Sequence, residues 1–166
     1  LLIDGSLNSG ADLNLDNVST DSVRDHGDLP ASYGDAPHIS NGLRLGSNVD
    51  TESAALSSAN ADGDDLNGAG DEDGVTRNTA DYWTPGNTVS VDVVVNGCSS
   101  GTCYLNGWID WGNGGTMDAG DVVFSDQSVA NGTNTLSITV PASGYTTGTA
   151  LYARFRVCDS AGVCNA

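Results

Sequence analysis

Residues 88–96 read TVSVDVVVN. Val89, Val91, Val93 and Val95 recur at every second position with Ser90 and Asp92 between them, which is the period of an extended strand that buries one face. The same alternation returns in Leu136, Ile138 and Val140, where Pro141 ends it. It returns again in Leu151, Ala153, Phe155 and Val157, which are expected to face a core while Tyr152, Arg154 and Arg156 point outward. Tyr104 to Trp111 and Val122 to Phe124 supply two further candidate strands. Short strands at regular spacing, separated by Gly, Asn and Ser turns, predict an all-β protein built as an antiparallel β-sandwich, Ig-like or jelly-roll-like, with long Gly/Asp-rich loops. Trp108 and Trp111 fall on opposite faces of a strand, so at least one is expected in the core.

Composition agrees. The 166 residues include 22 glycines, and Lys, Glu and Met, common on surface helices, are scarce or missing. Twenty aspartates and two glutamates, Glu52 and Glu72, face five arginines and no lysine, for a formal net charge of −17. Such a chain lacks the positive charge needed to neutralise phosphates, so nucleic-acid and anionic-membrane partners are excluded. The absence of lysine removes Schiff-base chemistry and the P-loop. No apolar run approaches the roughly 20 residues that cross a bilayer as a helix. One domain is expected over residues 25–166. Residues 1–24, with Leu1-Leu2-Ile3 and then Leu13, Leu15 and Val18 among Asp and Asn, read as an edge strand, a linker or a strand donated to a neighbour. The opening Leu, with no basic and apolar leader before it, suggests a part of something larger.

Four cysteines form two close pairs, Cys98 with Cys103 and Cys158 with Cys164, each around a short polar turn. Neither is C-x-x-C, so zinc ribbons and thioredoxin-type redox sites fit poorly, and local disulfides are preferred over free thiols. Disulfides imply an oxidising, extracytoplasmic compartment. Asn17 and Asn131 head glycosylation sequons.

Residues 61–75, ADGDDLNGAGDEDGV, place Asp62, Asp64, Asp65, Asp71, Glu72 and Asp73 among four glycines. Crowded carboxylates resist joint ionisation unless a cation lies among them. Hard oxygen donors on a sharply turning backbone suit Ca²⁺, which takes six to eight oxygens, and short Asp side chains let backbone carbonyls reach the same ion. The plainer alternative is a solvated acidic loop. A second candidate, DWGNGGTMDAGD from Asp110, sets Asp110, Asp118 and Asp121 at positions 1, 9 and 12 of an EF-hand-like loop with Gly115 at the turn. Gly112 and Gly114 occupy positions 3 and 5, so two side-chain ligands are lost. With the Thr116 carbonyl, and Asn113 if the register shifts, it is either a weak site or a structural turn. Asp25, Asp28 and Asp35 in DHGDLPASYGDAP, and Asp50 with Glu52 in VDTE, read singly as turn chemistry.

Taken in order, DHGDLPASYGDAPH, LRLGSNVDTE, ANADGDDLNGAGDEDGVT, YLNGWIDWGNGGTMDAGDVVF and LYARFRV resemble segments of the GEVED-type domain of large bacterial secreted and surface proteins, over residues 25–157. The chain is also similar to the calcium-dependent peptide-binding domains of giant bacterial adhesins, in which Ca²⁺ helps to capture a ligand carboxylate. The resemblance implies an extracellular β-rich module and calcium ligands at Asp62, Asp64, Asp65, Asp71 and Asp73, with Asp25, Asp28, Asp50 and Glu52 as neighbours. There are three departures. The Asp110 loop lacks ligands at its third and fifth positions, and His26 stands where the family commonly has Tyr. The Gly-Glu-Val-Glu-Asp segment, expected beyond Ala166, is absent, so a final strand is expected to be missing.

His26 and His38 are the only histidines, and no Ser or Cys nucleophile signature accompanies them, so no enzyme is expected. The expected function is calcium-dependent extracellular adhesion or binding of a peptide, protein or glycan. The alternative is a subunit of an extracellular filament or sheath whose neighbouring copies exchange strands.

Overall fold

The computed structural model describes residues 24–40, 42–49, 51–63 and 72–164. It is an antiparallel β-sandwich, as the alternation predicts. A two-stranded ribbon joins β1 (Arg24–Asp25) to β2 (His38–Ile39). The first main sheet contains β3 (Arg44–Leu45), β4 (Val75–Arg77), β5 (Thr88–Asn96) and β8 (Gly132–Thr139). The second orders β7 (Val122–Val129), β6 (Cys103–Ile109) and β9 (Ala153–Cys158), with β6 in the middle. Residues 1–23, and with them the expectations placed there, lie outside the described residues; Arg24 pairs with Ile39 in the ribbon.

β5 is the hub. One edge pairs with β8 from Thr88↔Thr139 to Val95↔Gly132, and the other pairs with β4 and then β3. Its four odd-numbered valines are at most 2% exposed. They pack with Leu105, Ile109, Phe124, Ile138, Val140 and Val157 into the core between the sheets. Burial of each such side chain is worth about 1.5–3 kcal/mol against the exposed state.

Two of the crossings between the sheets, β5 to β6 and β7 to β8, are tied at one point. The Cys98–Cys103 disulfide closes the turn from β5 to β6, and Cys158–Cys164 closes the loop after β9. Asn131, in the turn from β7 to β8, accepts from the Cys98 N–H at 2.8 Å and donates to the Cys98 carbonyl at 3.0 Å. The Asn131 sequon therefore has its amide committed to this joint.

Three details depart from the alternation. β6 ends at Ile109, so Trp111 lies beyond the strand, and both Trp108 and Trp111 are buried. In β9 Val157 is buried and Phe155 packs against the core, but Ala153 is exposed. Arg154 and Arg156 are half-buried rather than outward, because they donate to the carbonyls of Tyr33, Gly34 and Pro37 in a segment laid over that face.

Gly107 lies at an irregularity of the β6–β7 register. A Cβ there would stand 2.8 Å from the Phe155 ring and 3.0 Å from the Phe124 ring. Alanine would reduce unfolded-chain freedom, a gain of about 0.4–1 kcal/mol, but overpacking costs about 1–3 kcal/mol. Gly107→Ala is therefore expected to lower stability by about 1–2 kcal/mol in urea titration, and an unchanged or raised midpoint would contradict this packing.

Candidate functional site

The loop between β6 and β7 is built around two buried carboxylates. Asp110 accepts from the Gly114 N–H at 2.9 Å through Oδ1 and from the Gly115 N–H at 2.8 Å through Oδ2. Asn113 and Gly115 hold φ of 53° and 86°, a left-handed path that Asn and Gly tolerate. Asp121 accepts from the Trp111 N–H at 3.2 Å and the Asp118 N–H at 3.0 Å, while Asp118 accepts from the Gly120 N–H. In this arrangement the acids of the Asp110 loop serve as acceptors for the turn's own amides.

Tyr33 reaches this loop from far away in sequence and donates its hydroxyl to Asp110 Oδ2 at 2.7 Å. Its ring packs on Tyr152 with centroids 5.1 Å apart, and Tyr152 donates to the Ala59 carbonyl. Burial, followed by the hydrogen bond to Asp110, pushes the Tyr33 phenol well above its ordinary value, so it stays a donor through the neutral range. For Asp110 burial is the largest single influence and opposes ionisation. The hydrogen bonds from Tyr33, Gly114 and Gly115 together outweigh it and hold the carboxyl below its ordinary 3.8.

The second acidic zone is assembled by backbone bonds. The Glu52 N–H donates to the Arg24 carbonyl, and Glu52 Oε2 accepts from the His26 N–H at 3.0 Å. The Ser58 N–H donates to the Asp28 carbonyl at 2.9 Å, and the Ser58 hydroxyl donates to Asp62 Oδ1 at 2.7 Å. Asp28 Oδ2 accepts from the Gly63 N–H at 3.2 Å. Asp25, Asp28, Glu52 and Asp62 are thus carried on segments that bond to one another. Asp73 belongs elsewhere: both its oxygens accept from the Ser47 N–H beside β3. Asp50, Asp64, Asp65 and Asp71 lie outside the described residues. Among the described residues no group of three or more His, Cys, Asp or Glu is arranged to hold a metal ion.

His26 is buried, and its Nδ1 lies 2.8 Å from Asp35 Oδ2. Burial, then the positive charge of Arg156, lowers the pKa of His38.

Residues 104–166 match the GEVED domain family. No curated protein and no solved structure matches the chain. The GEVED segment takes in β7, β8, β9 and nearly all of β6, together with the Asp110 loop and the Cys158–Cys164 disulfide. Its buried carboxylate at Asp110 is completed from outside by Tyr33, and its Arg154 and Arg156 are covered by residues 33–37. The alternation marks Tyr152, Arg154 and Arg156 only as outward-pointing, and it does not mark Tyr33. The available signal was the placing of Arg154 and Arg156 two apart, on one face of a strand, in a chain with so few cations.

Tyr33→Phe is expected to cost about 1.5–3 kcal/mol, the range for a hydrogen bond to a charged group. Asp110 has its pKa lowered by folding, so its stabilisation is complete above 3.8, declines below that value and is lost as pH falls through the lowered one. Melting temperatures of wild type and Asp110→Asn should therefore differ most at neutral pH and converge in acid. A gap that widens in acid would contradict the assignment.

Proposed function

We propose that the chain is a calcium-dependent extracellular binding module for a peptide, protein or glycan. The proposed ion is taken near Asp28 and Asp62 with the aspartates Asp64, Asp65 and Asp71, and with Asp25, Asp50 and Glu52 as neighbours. The observation that carries this reading is the Ser58 clasp, which binds Asp28 and Asp62 through one residue immediately before the segment richest in carboxylates. Oxygen donors of this kind suit Ca²⁺. The Asp110 loop serves in this reading as scaffold. Two disulfides are compatible with an extracellular location. No described helix is long and apolar enough to cross a membrane. The proposal includes no catalysis.

Calcium titrated into chelator-treated protein is expected to give saturable heat. It should stabilise by about 2.7 kcal/mol at a hundredfold excess over the dissociation constant. For a chain of this size that is a rise of roughly 5–10 °C in melting temperature. No heat and an unmoved melting temperature would refute the proposal.

A second reading, a filament or sheath subunit that exchanges strands, is favoured by β9. Among the described strands it pairs with β6 alone, which leaves one edge for a further strand. Deleting residues 1–18 should then abolish assembly by light scattering, and polymerisation of the shortened chain would refute it.

A further inference from the structure

A pocket of about 390 Å³ lies between the Asp110 loop and the loop closed by Cys158–Cys164, within the size range of small-ligand pockets. Its floor comes from β6. Leu105 and Ile109 alternate into the core, so Asn106 and Trp108 face the other way, and both are buried. Trp108 pairs with Val122 of β7, which is 43% exposed. Met117 and Asp118 line the pocket from the Asp110 loop, and Gly162 lines it from the disulfide loop.

Between the pairs Leu105↔Gln127 and Gly107↔Phe124, β6 has one residue and β7 has two, a bulge in which Asp126 takes φ 47°. Bulges re-aim side chains, and the Asp126 side chain is held in its new direction. Asn106 Nδ2 donates to Asp126 Oδ1 at 3.1 Å, the Asp126 N–H donates to Asn106 Oδ1 at 3.0 Å, and the Gly162 N–H donates to both carboxylate oxygens at 3.0 Å. The Gly162 amide, then the Asn106 amide, hold the Asp126 carboxyl below its ordinary 3.8, so it is ionised at neutral pH. Asp118 is exposed and accepts from the Gly120 N–H through Oδ1.

Two carboxylates fixed by neutral amides thus share one pocket with the apolar surface of Trp108, Met117 and Val122. Among the described residues no arginine lines it: Arg154, paired with Trp108 across β6, donates instead to the carbonyls of Tyr33 and Gly34. A ligand that matches both halves carries positive charge on an aliphatic stem. A bare metal ion leaves the apolar half unmet, and Trp108, 7% exposed, shows too little of its ring for a sugar to stack on. A lysine side chain is that combination, a compact ammonium on a flexible alkyl stem, and this chain contains no lysine of its own. Ala119, Ser125 and Gly162 at the rim are exposed, so a polypeptide bearing the side chain can approach.

We propose that this pocket takes a lysine side chain of a partner protein, its ammonium met by Asp118 and Asp126 and its stem lying against Met117, Val122 and Trp108. The proposal rests on the binding-module reading and narrows the ligand to a basic polypeptide, but it does not depend on calcium.

The test is a titration of the full chain with Nα-acetyl-lysine methylamide in excess chelator, followed by amide NMR shifts at residues 106–108, 117–122, 125–126 and 162–164. The norleucine analogue, which keeps the stem without the charge, and ammonium chloride, which has the charge without the stem, are the comparisons. The lysine probe is expected to shift those amides saturably and to bind at least about fivefold tighter than either. Asp126→Asn keeps an acceptor for Gly162 and tolerates the positive φ, so it should fold and weaken binding about fivefold. Asp118→Asn, at an exposed position, should weaken it about threefold, and added salt should weaken it in wild type. The absence of a saturable shift, equal affinity for either comparison, or unaffected binding in either variant would overturn the site. Binding seen only with calcium would overturn it while leaving the calcium proposal standing. Binding in chelator with no calcium heat would do the reverse.

Discussion

Burial of one face of β5 is the constraint from which the rest of this molecule follows. Four valines at alternate positions demand an apolar cover; β6, β7 and β9 supply it with Leu105, Phe124 and Val157, and Ile138 of neighbouring β8 widens the covered face. Because β5 is paired along both edges, its position fixes β3, β4 and β8 as well. A shift of one residue would turn all four valines outward, so the register is strongly determined.

The polar half of the architecture hangs on a different element, the buried Asp110 carboxylate. A charge removed from water must be repaid by donors, and here they come from two amides of its own turn and from a tyrosine 77 residues away in sequence. That single acceptor joins the segment before β2 to the loop between β6 and β7. Tyr152 extends the joint to Ala59, next to Asp62. The segment bearing the second acidic zone is thereby attached to the rigid sandwich. The same covering segment places carbonyls over Arg154 and Arg156.

Much of the sandwich was legible because strand burial writes itself into a period of two. β5 reads directly from its valines, and β8 from Leu136 and Ile138. β9 was legible in its Val157 face but misleading in its arginine face, since alternation separates the two faces without saying whether a loop covers the polar one. The paired cysteines were legible because a short loop brings bonding partners together whatever the fold. The Asp110 segment was legible as a turn, but its spacing alone did not distinguish a weak ion site from amides capped by aspartates. Tyr33 was invisible as a partner of Asp110, because nothing local links positions so far apart.

The sequence by itself determined the fold class, the two local disulfides and the concentration of acid in Gly-rich loops, because each depends on neighbours within a few residues. The tertiary structure alone decided that Tyr33 completes Asp110, that Ser58 joins Asp28 to Asp62, and that the segment before β2 covers Arg154 and Arg156. Those are contacts between segments far apart along the chain. Their geometry is set by the packing of the sheets, and no pattern along the sequence encodes it.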